Sequence, residues 1–164
     1  MPAPDPPTGS PADLDTGSLA LFAGLAAADE VQRELDRQGF TGLRFSHGYV
    51  FQHLIDAEPT IGELAGKLAM TQQGASKAVA ELQNLGYLER AADPRDARVR
   101  KVRLTSRGRD AVAAARRSRA ALDERLAGRY GPERLAAIRA VLVDLIDDLG
   151  GTDAIRRREV RAPR

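Results

Sequence analysis

The stretch that decides the fold runs from Thr60 to Arg109 and reads TIGELAGKLAMTQQGASKAVAELQNLGYLERAADPRDARVRKVRLTSRGR. It contains two short amphipathic helical patterns joined by a three-residue turn, and then a hairpin pattern with arginines around its tip. A helix-turn-helix followed by a basic hairpin is an arrangement that can hold double-stranded DNA. The rest of the chain offers no chemistry of comparable specificity.

The two helical patterns predict helices from about Ile61 to Leu68 and from about Gln72 to Leu85. The Thr71 hydroxyl is well placed to cap the second helix. The outward face of that helix carries side chains able to contact base edges or phosphates, namely Gln72, Gln73, Ser76 and Lys77. An ordinary surface helix would also turn polar residues outward, so this helix alone does not decide the function.

The hairpin pattern is more specific. A turn at Asp93-Pro94-Arg95-Asp96 separates strand-like segments at about 87–91 and 99–104. Arginines on a thin hairpin can enter the narrow, electronegative minor groove, and the candidates are Arg95, Arg98 and Arg100. Asp96 is placed to pair with the Arg98 guanidinium and orient it. The alternative is a solvated turn held by a weak surface ion pair, but beside a helix-turn-helix we favour the DNA-binding interpretation.

Charge is unevenly distributed along the 164 residues. The whole chain has a formal net charge of +2, yet positions 86–119 hold eleven basic and four acidic residues. A basic block in an otherwise acidic chain suggests a polyanionic partner, although on charge alone a solvated arginine-rich surface explains it equally well. The chain has no cysteine, which excludes disulfides and thiolate metal sites.

The flanking segments predict helices around this centre. Residues 1–17 hold five of the nine prolines and are expected to be a disordered tail, without the features of a signal peptide. Ser18 is predicted to cap a helix that Gly39 ends, and Ser46 to cap one reaching about Ile55. A long helix should follow Thr105, with Gly108 tolerated near its start. The final helix, after Pro132, has an apolar stripe longer than its own domain requires, formed by Leu135, Ile138, Leu142, Leu145 and Leu149.

The fold class expected is therefore mostly α with a small β-hairpin wing. The predicted organisation is a disordered N-terminal tail (1–17), a dimerisation helix and linker (18–45), a winged helix-turn-helix (46–108), C-terminal dimerisation helices (109–150) and a basic C-terminal tail (151–164). No apolar run approaches the length needed to cross a bilayer, so we expect a cytoplasmic protein.

Metal binding and catalysis have little support. His47 and His53 are six residues apart, which does not place them on one helical face as a metal pair. No nucleophile–base arrangement, phosphate-binding glycine loop or cofactor fingerprint is present. Phe45, His47, Tyr49 and Phe51 cluster around the predicted second helix, where ordinary core packing with one solvated histidine accounts for them.

The segments ELAGKLAMTQQGASKAVAELQNLGYLER, DPRDAR and VRLTSRG, in this order and spacing, resemble the MarR-type winged-helix transcription regulators. The likeness extends over about 19–149. The family's Asp-x-Arg wing element falls on Asp96-Ala97-Arg98, and its Leu-Thr pair on Leu104-Thr105. Ser76-Lys77 stands where members usually have Ser or Thr followed by Arg. Two departures are Ala97, at an often basic wing position, and Gly74, which should cost the helix about 1 kcal/mol relative to Ala.

The resemblance implies a homodimer, built by the first and last two helices, that binds a pseudo-palindromic operator. It also implies a cleft beside the second helix that takes small aromatic or phenolic ligands. We therefore expect a ligand-responsive repressor without a cofactor, whose small aromatic or anionic ligand binds near His47 and Phe51. The alternative is a winged-helix protein–protein adaptor without DNA binding. An acidic or apolar recognition face would favour that alternative, and Gln72, Gln73 and Lys77 argue against it.

Overall fold

The computed structural model describes residues 9–156, so parts of both predicted tails, 1–8 and 157–164, lie outside the described residues. The elements in chain order are α1 (Thr16–Arg37), α2 (His47–Gln52), α3 (Ile61–Lys67), α4 (Gln72–Asn84), β1 (Leu88–Asp93), β2 (Asp96–Leu104), α5 (Ser106–Tyr130), α6 (Pro132–Asp148) and α7 (Thr152–Arg156). The two strands form an antiparallel hairpin between the fourth and fifth helices. The predicted fold class, mostly α with a hairpin wing, is confirmed.

Regular structure begins earlier than the sequence suggested. Pro11–Asp13 form one 3-10 turn, and α1 is capped by Asp15 rather than by Ser18. The Asp15 carboxylate accepts hydrogen bonds from the Ser18 backbone N–H (2.9 Å) and from the Ser18 hydroxyl (2.7 Å). A carboxylate at this position also interacts favourably with the helix dipole, which explains why Asp15 takes the cap. At the other end, α7 occupies part of the predicted basic tail.

The second helix is shorter than predicted, because it ends at Gln52 rather than near Ile55. Ser46 does precede α2, but its backbone is already helical (φ −62°, ψ −26°) and its hydroxyl makes no capping bond. The imidazole of His47 instead accepts a hydrogen bond at Nδ1 from the Arg44 backbone N–H, at 3.1 Å. The His47 ring, rather than the Ser46 hydroxyl, thus makes the hydrogen bond that joins the α1–α2 loop to the start of α2.

The helix-turn-helix is fixed by threonine caps. Thr60 and Glu63 form a reciprocal capping box at the start of α3, with bonds of 2.7 and 3.2 Å. Thr71 caps α4 as predicted, accepting from the Gly74 N–H at 3.1 Å. The turn between the two helices places Ala69 at φ 51°, in the left-handed region. These local bonds set the angle at which α4 leaves α3.

One apolar core lies beneath the helix-turn-helix and the hairpin. Its largest fully buried members come from α3, α4, β2 and the segment just before β1, namely Tyr87, Leu64, Leu82, Val79 and Val102. The C-terminal half of α1 and the first half of α5 complete this core. The orientation of α4 is therefore set by packing as well as by its caps.

The helices at the two ends of the chain are much less covered. None of the described residues of α6 is buried. Large apolar side chains on α1 and α6 are exposed to solvent in the single chain, among them Leu21, Phe22, Leu25, Ile138, Val141, Val143, Ile146 and Leu149. Such a continuous exposed apolar surface is unusual for a protein that works as a monomer.

Candidate nucleic-acid interface

The hairpin is attached directly to the helix-turn-helix. The backbone N–H of Val102 in β2 donates to the carbonyl of Pro59 at 2.8 Å, and Thr60 forms a bridge with Lys101. Since Thr60 also caps α3, the strand and the first helix of the helix-turn-helix share one anchoring point. The hairpin therefore has a fixed position beside α3 and α4.

The α4 helix has one buried and one solvent-facing side. Ala75, Val79 and Leu82 pack into the core. The predicted contact residues lie elsewhere on the helix: Thr71, Gln72, Gln73 and Lys77 are exposed and Ser76 is half-buried. The structure thus leaves the side chains that the sequence analysis selected available to a partner along the first two turns of α4.

The tip of the hairpin is organised by two aspartates. The Asp93 carboxylate accepts from the Arg95 backbone N–H, and the Asp96 carboxylate from the Arg98 backbone N–H, both at 2.9 Å. The expected pairing of Asp96 with the Arg98 guanidinium is therefore wrong: the short aspartate bonds its own turn two residues on, as Asx turns do. The Arg98 side chain is left exposed and free to contact a ligand.

The basic side chains of the hairpin divide into two groups. Lys101 pairs with Asp93 at 3.0 Å, and Arg103 pairs with Glu89 at 2.7 Å. The hydrogen bond from the Arg95 backbone and the Lys101 ammonium both lower the pKa of Asp93, so this carboxylate stays charged near neutral pH. Within residues 9–156, Lys77 on α4 and four arginines of the hairpin form no ion pair, namely Arg90, Arg95, Arg98 and Arg100.

A cavity of about 650 Å³ lies between α1, α2 and α5, on a different side of α2 from α4. Phe51 lines it, together with Phe45 and Tyr49, whose rings meet edge to face at 5.4 Å between centroids. His47 does not line this cavity, contrary to the expectation that both His47 and Phe51 would face a ligand. Its ring is directed towards Arg44 and Glu81 instead.

The buried ring of His47 is only 2% exposed. Burial lowers its pKa and the nearby Arg44 guanidinium lowers it further, while the Glu81 carboxylate opposes the shift. Nδ1 lies 3.1 Å from the Arg44 backbone N–H, and Nε2 lies 3.2 Å from an Arg44 guanidinium nitrogen and 3.8 Å from the Glu81 carboxylate. A neutral ring can accept a hydrogen bond at only one of its two nitrogens. Among the described residues no three His, Asp or Glu side chains form a group that could hold a metal ion.

Several structurally important residues were not selected from the sequence. Arg44 and Glu81 form an ion pair between the α1–α2 loop and α4, although they are 37 positions apart. Arg107 stacks on the Tyr87 ring at 4.8 Å and donates to the Gly39 carbonyl at 2.8 Å, which ties α5 to the end of α1. No short-range pattern indicates such long-range pairs.

Comparison with known proteins decides the family of the central segment. Residues 41–99, from the loop before α2 into β2, match the family model of the MarR family. Over these residues the chain is similar to the MarR family. No curated protein sequence matches the chain.

Solved structures extend the MarR likeness beyond the matched segment. FabT of Streptococcus pneumoniae, in complex with DNA, is 20% identical, and the alignment covers 83% of this chain and 98% of FabT with a TM-score of 0.61. MepR of S. aureus, bound to ethidium bromide, is 17% identical, with coverage of 84% and 99% and a TM-score of 0.60. YusO of Bacillus subtilis is 15% identical, with coverage of 82% and 99% and a TM-score of 0.61. These likenesses show that α1, α5 and α6 also follow the fold of MarR-type structures.

No helix within the described part of the chain combines the length and the apolar content needed to span a membrane.

The MarR match itself ends at position 99, so it includes α4 and the hairpin tip with Arg95 and Arg98. The family model does not reach the terminal helices or the parts of α1 and α5 that border the cavity. For these parts, similarity to known proteins comes from the solved structures.

Proposed function

We propose that the chain is a DNA-binding transcription regulator that acts as a homodimer on a pseudo-palindromic operator, and that it represses transcription until a small ligand binds. The observation that carries this proposal is the arrangement of unpaired cations. Lys77 on α4 and four arginines of the hairpin form no ion pair among the described residues, while their neighbours Lys101 and Arg103 do. A regulator of this kind works in the cytoplasm, as the sequence predicts.

In the proposed complex the first turns of α4 enter the major groove. The amides of Gln72 and Gln73 can each donate and accept at an adenine edge, and Lys77 can reach a guanine or a phosphate. The hairpin tip, fixed beside α3, would place Arg98 at the adjoining minor groove, where groove shape and potential are recognised. The similar protein FabT is in complex with DNA in its solved structure, which supports DNA binding by a chain of this fold.

The exposed apolar faces of α1 and α6 support a homodimer. Leu149 is 77% exposed in the single chain, and Val141 and Leu21 are each 60% exposed. A second copy related by a two-fold axis would cover both helices with the same surfaces. The two α4 helices would then address half-sites about 34–36 Å apart, one turn of B-DNA.

The cavity beside α2 supports the proposed ligand response. Its walls include apolar side chains such as Val31, Phe51 and Val112, and its volume lies in the range of small-molecule sites. The similar protein MepR is bound to ethidium bromide in its solved structure. A small aromatic or anionic ligand in this cavity would need to change the operator affinity by only about 1–3 kcal/mol to be an effective signal.

Fluorescence anisotropy with the DNA upstream of the protein's own gene tests the proposal. Binding should weaken steeply between about 50 mM and about 200 mM salt, because several unpaired cations would displace counterions from phosphates. A scrambled duplex of the same length and composition is the control for sequence preference. Failure to bind this or any other genomic fragment at low salt would rule out the proposed function.

A further inference from the structure

Arg44 stands between the cavity and the recognition helix. It lies in the loop that joins α1 to α2 and contributes to the lining of the cavity. Its guanidinium also forms an ion pair and hydrogen bond with the Glu81 carboxylate on α4. Arg44 thus borders the site proposed for the ligand and, through its guanidinium, contacts the helix proposed to enter the major groove.

The backbone and the side chain of Arg44 differ in how firmly they are held. Its backbone N–H is held by the buried His47 ring at 3.1 Å, so the loop is fixed at this point. Its side chain is 62% exposed, and Glu81 is partly exposed as well. An ion pair in contact with water contributes little net free energy, so a competing anion can displace one partner at low cost. The guanidinium can therefore change partners while the loop stays in place.

The chemistry of the cavity indicates which competitor it would accept. Besides apolar walls, its lining contains three arginines, Arg44, Arg116 and Arg119, and a single carboxylate, Asp123. Within residues 9–156 neither Arg116 nor Arg119 forms an ion pair. An organic anion with a flat apolar body would satisfy both the walls and the cationic groups.

We infer that Arg44 couples the two sites: an aromatic carboxylate bound in the cavity takes the Arg44 guanidinium from Glu81, and the recognition helix loses that contact with the α1–α2 loop. This inference rests on the proposed ligand response and adds the residue that transmits it. The exchange involves no change of covalent bonds. Glu81 is left 3.8 Å from Nε2 of the His47 ring.

Competition for Arg44 can be measured without DNA. Naphthalene carboxylate and its uncharged amide are titrated into the full chain by calorimetry. The carboxylate should bind about tenfold more weakly to Arg44→Gln, while the amide should bind both proteins alike. Glu81→Gln should bind the carboxylate about two- to fivefold more tightly, since Arg44 is no longer held. That gain should disappear in the Arg44→Gln/Glu81→Gln double variant.

A second measurement follows DNA affinity with and without the carboxylate. In the parent chain saturating carboxylate should weaken duplex binding about fivefold, and in Glu81→Gln this effect should be lost, because the contact is already absent. Arg119→Gln is the matched control: it removes a cavity cation, so ligand binding weakens but the effect of bound ligand on DNA affinity persists. Melting curves confirm that each variant is folded.

The outcomes separate the two proposals. If the parent chain binds DNA and the carboxylate weakens that binding equally in Glu81→Gln, the role of Arg44 is overturned while the proposed function stands. The role of Arg44 would also be overturned if the carboxylate and the amide bound with equal affinity. The same holds if the gain from Glu81→Gln survives in the double variant. If no duplex binds at all, the proposed function fails. The calorimetric cycle still decides whether the carboxylate and Glu81 compete for the Arg44 guanidinium.

Discussion

A Cβ atom placed on Gly108 would lie 2.2 Å from the carbonyl oxygen of Tyr87. That carbonyl also accepts the Thr105 N–H at 3.0 Å, and the Thr105 hydroxyl donates to the Gly86 carbonyl at 2.7 Å. The first turn of α5 is therefore pressed against the backbone that joins α4 to β1. The glycine that the sequence analysis regarded as merely tolerated is required by this close approach.

Replacing Gly108 with Ala should lower the free energy of unfolding by about 1–3 kcal/mol, since the methyl group meets backbone atoms that cannot move independently. Urea denaturation followed by circular dichroism measures the change. Gly128→Ala is the matched control in the same helix: nothing lies within 4 Å of its added Cβ, and it should be neutral or stabilising. Equal effects at both positions would contradict the close approach.

The next prediction compares an unpaired with a paired arginine of the hairpin. Arg98→Ala should weaken operator binding and reduce the slope of log affinity against log salt by about one, because an unpaired cation is lost. Arg103→Ala should change the slope less, since Arg103 is paired with Glu89 at 2.7 Å. Anisotropy titrations at several salt concentrations give both slopes. Normal binding by Arg98→Ala would remove the hairpin from the proposed interface.

The exposed apolar face of α6 leads to a prediction on assembly. Val141→Glu should convert a dimer into monomers of 17.7 kDa, because it places a charge where the second copy is proposed to pack. Ala140→Glu is the control: Ala140 is also exposed, but it points about 100° away from Val141 around the helix. Sedimentation equilibrium distinguishes the two states. A monomeric parent chain at micromolar concentration would contradict the dimer itself.

The sequence predicted those parts of the fold that depend on neighbouring residues. Thr71 as the cap of α4, Gly39 at the end of α1 and the turn at Pro94-Arg95 each follow from local hydrogen bonding or from a positive φ. Ser46 failed as a cap because its backbone is already helical, which residue type alone does not indicate. Local rules were therefore sufficient for Thr71, Gly39 and the turn, but they failed at Ser46 and at Asp96, whose carboxylate accepts the Arg98 backbone N–H rather than pairing with the guanidinium.

Long-range partners were beyond such rules. His47 was assigned to the ligand pocket because it stands among aromatic residues in the sequence. Its actual neighbours are Arg44 and Glu81, and Glu81 comes from a different helix. Which side of a short helix faces a cavity depends on packing that no periodicity over six residues can define.

The buried His47 predicts a dependence of stability on pH. Its pKa is lowered in the folded chain, by burial first and by Arg44 second, so the unfolded chain binds its proton more readily. The free energy of unfolding should be highest above the unfolded histidine pKa of about 6.5 and should fall as the pH is lowered towards the folded pKa. The carboxylates whose pKa values are lowered, such as Asp15 and Glu63, lose their contribution only at more acidic pH.

The His47→Asn variant isolates this effect. An amide oxygen can still accept the Arg44 N–H but cannot titrate, so the variant should lose less stability than the parent chain between about pH 7 and about pH 5. His53, the other histidine of the chain, is present in both proteins and cancels in the comparison. Urea titrations at several pH values give the two profiles. Parallel profiles would mean that His47 keeps its ordinary pKa in the folded chain, contrary to its burial.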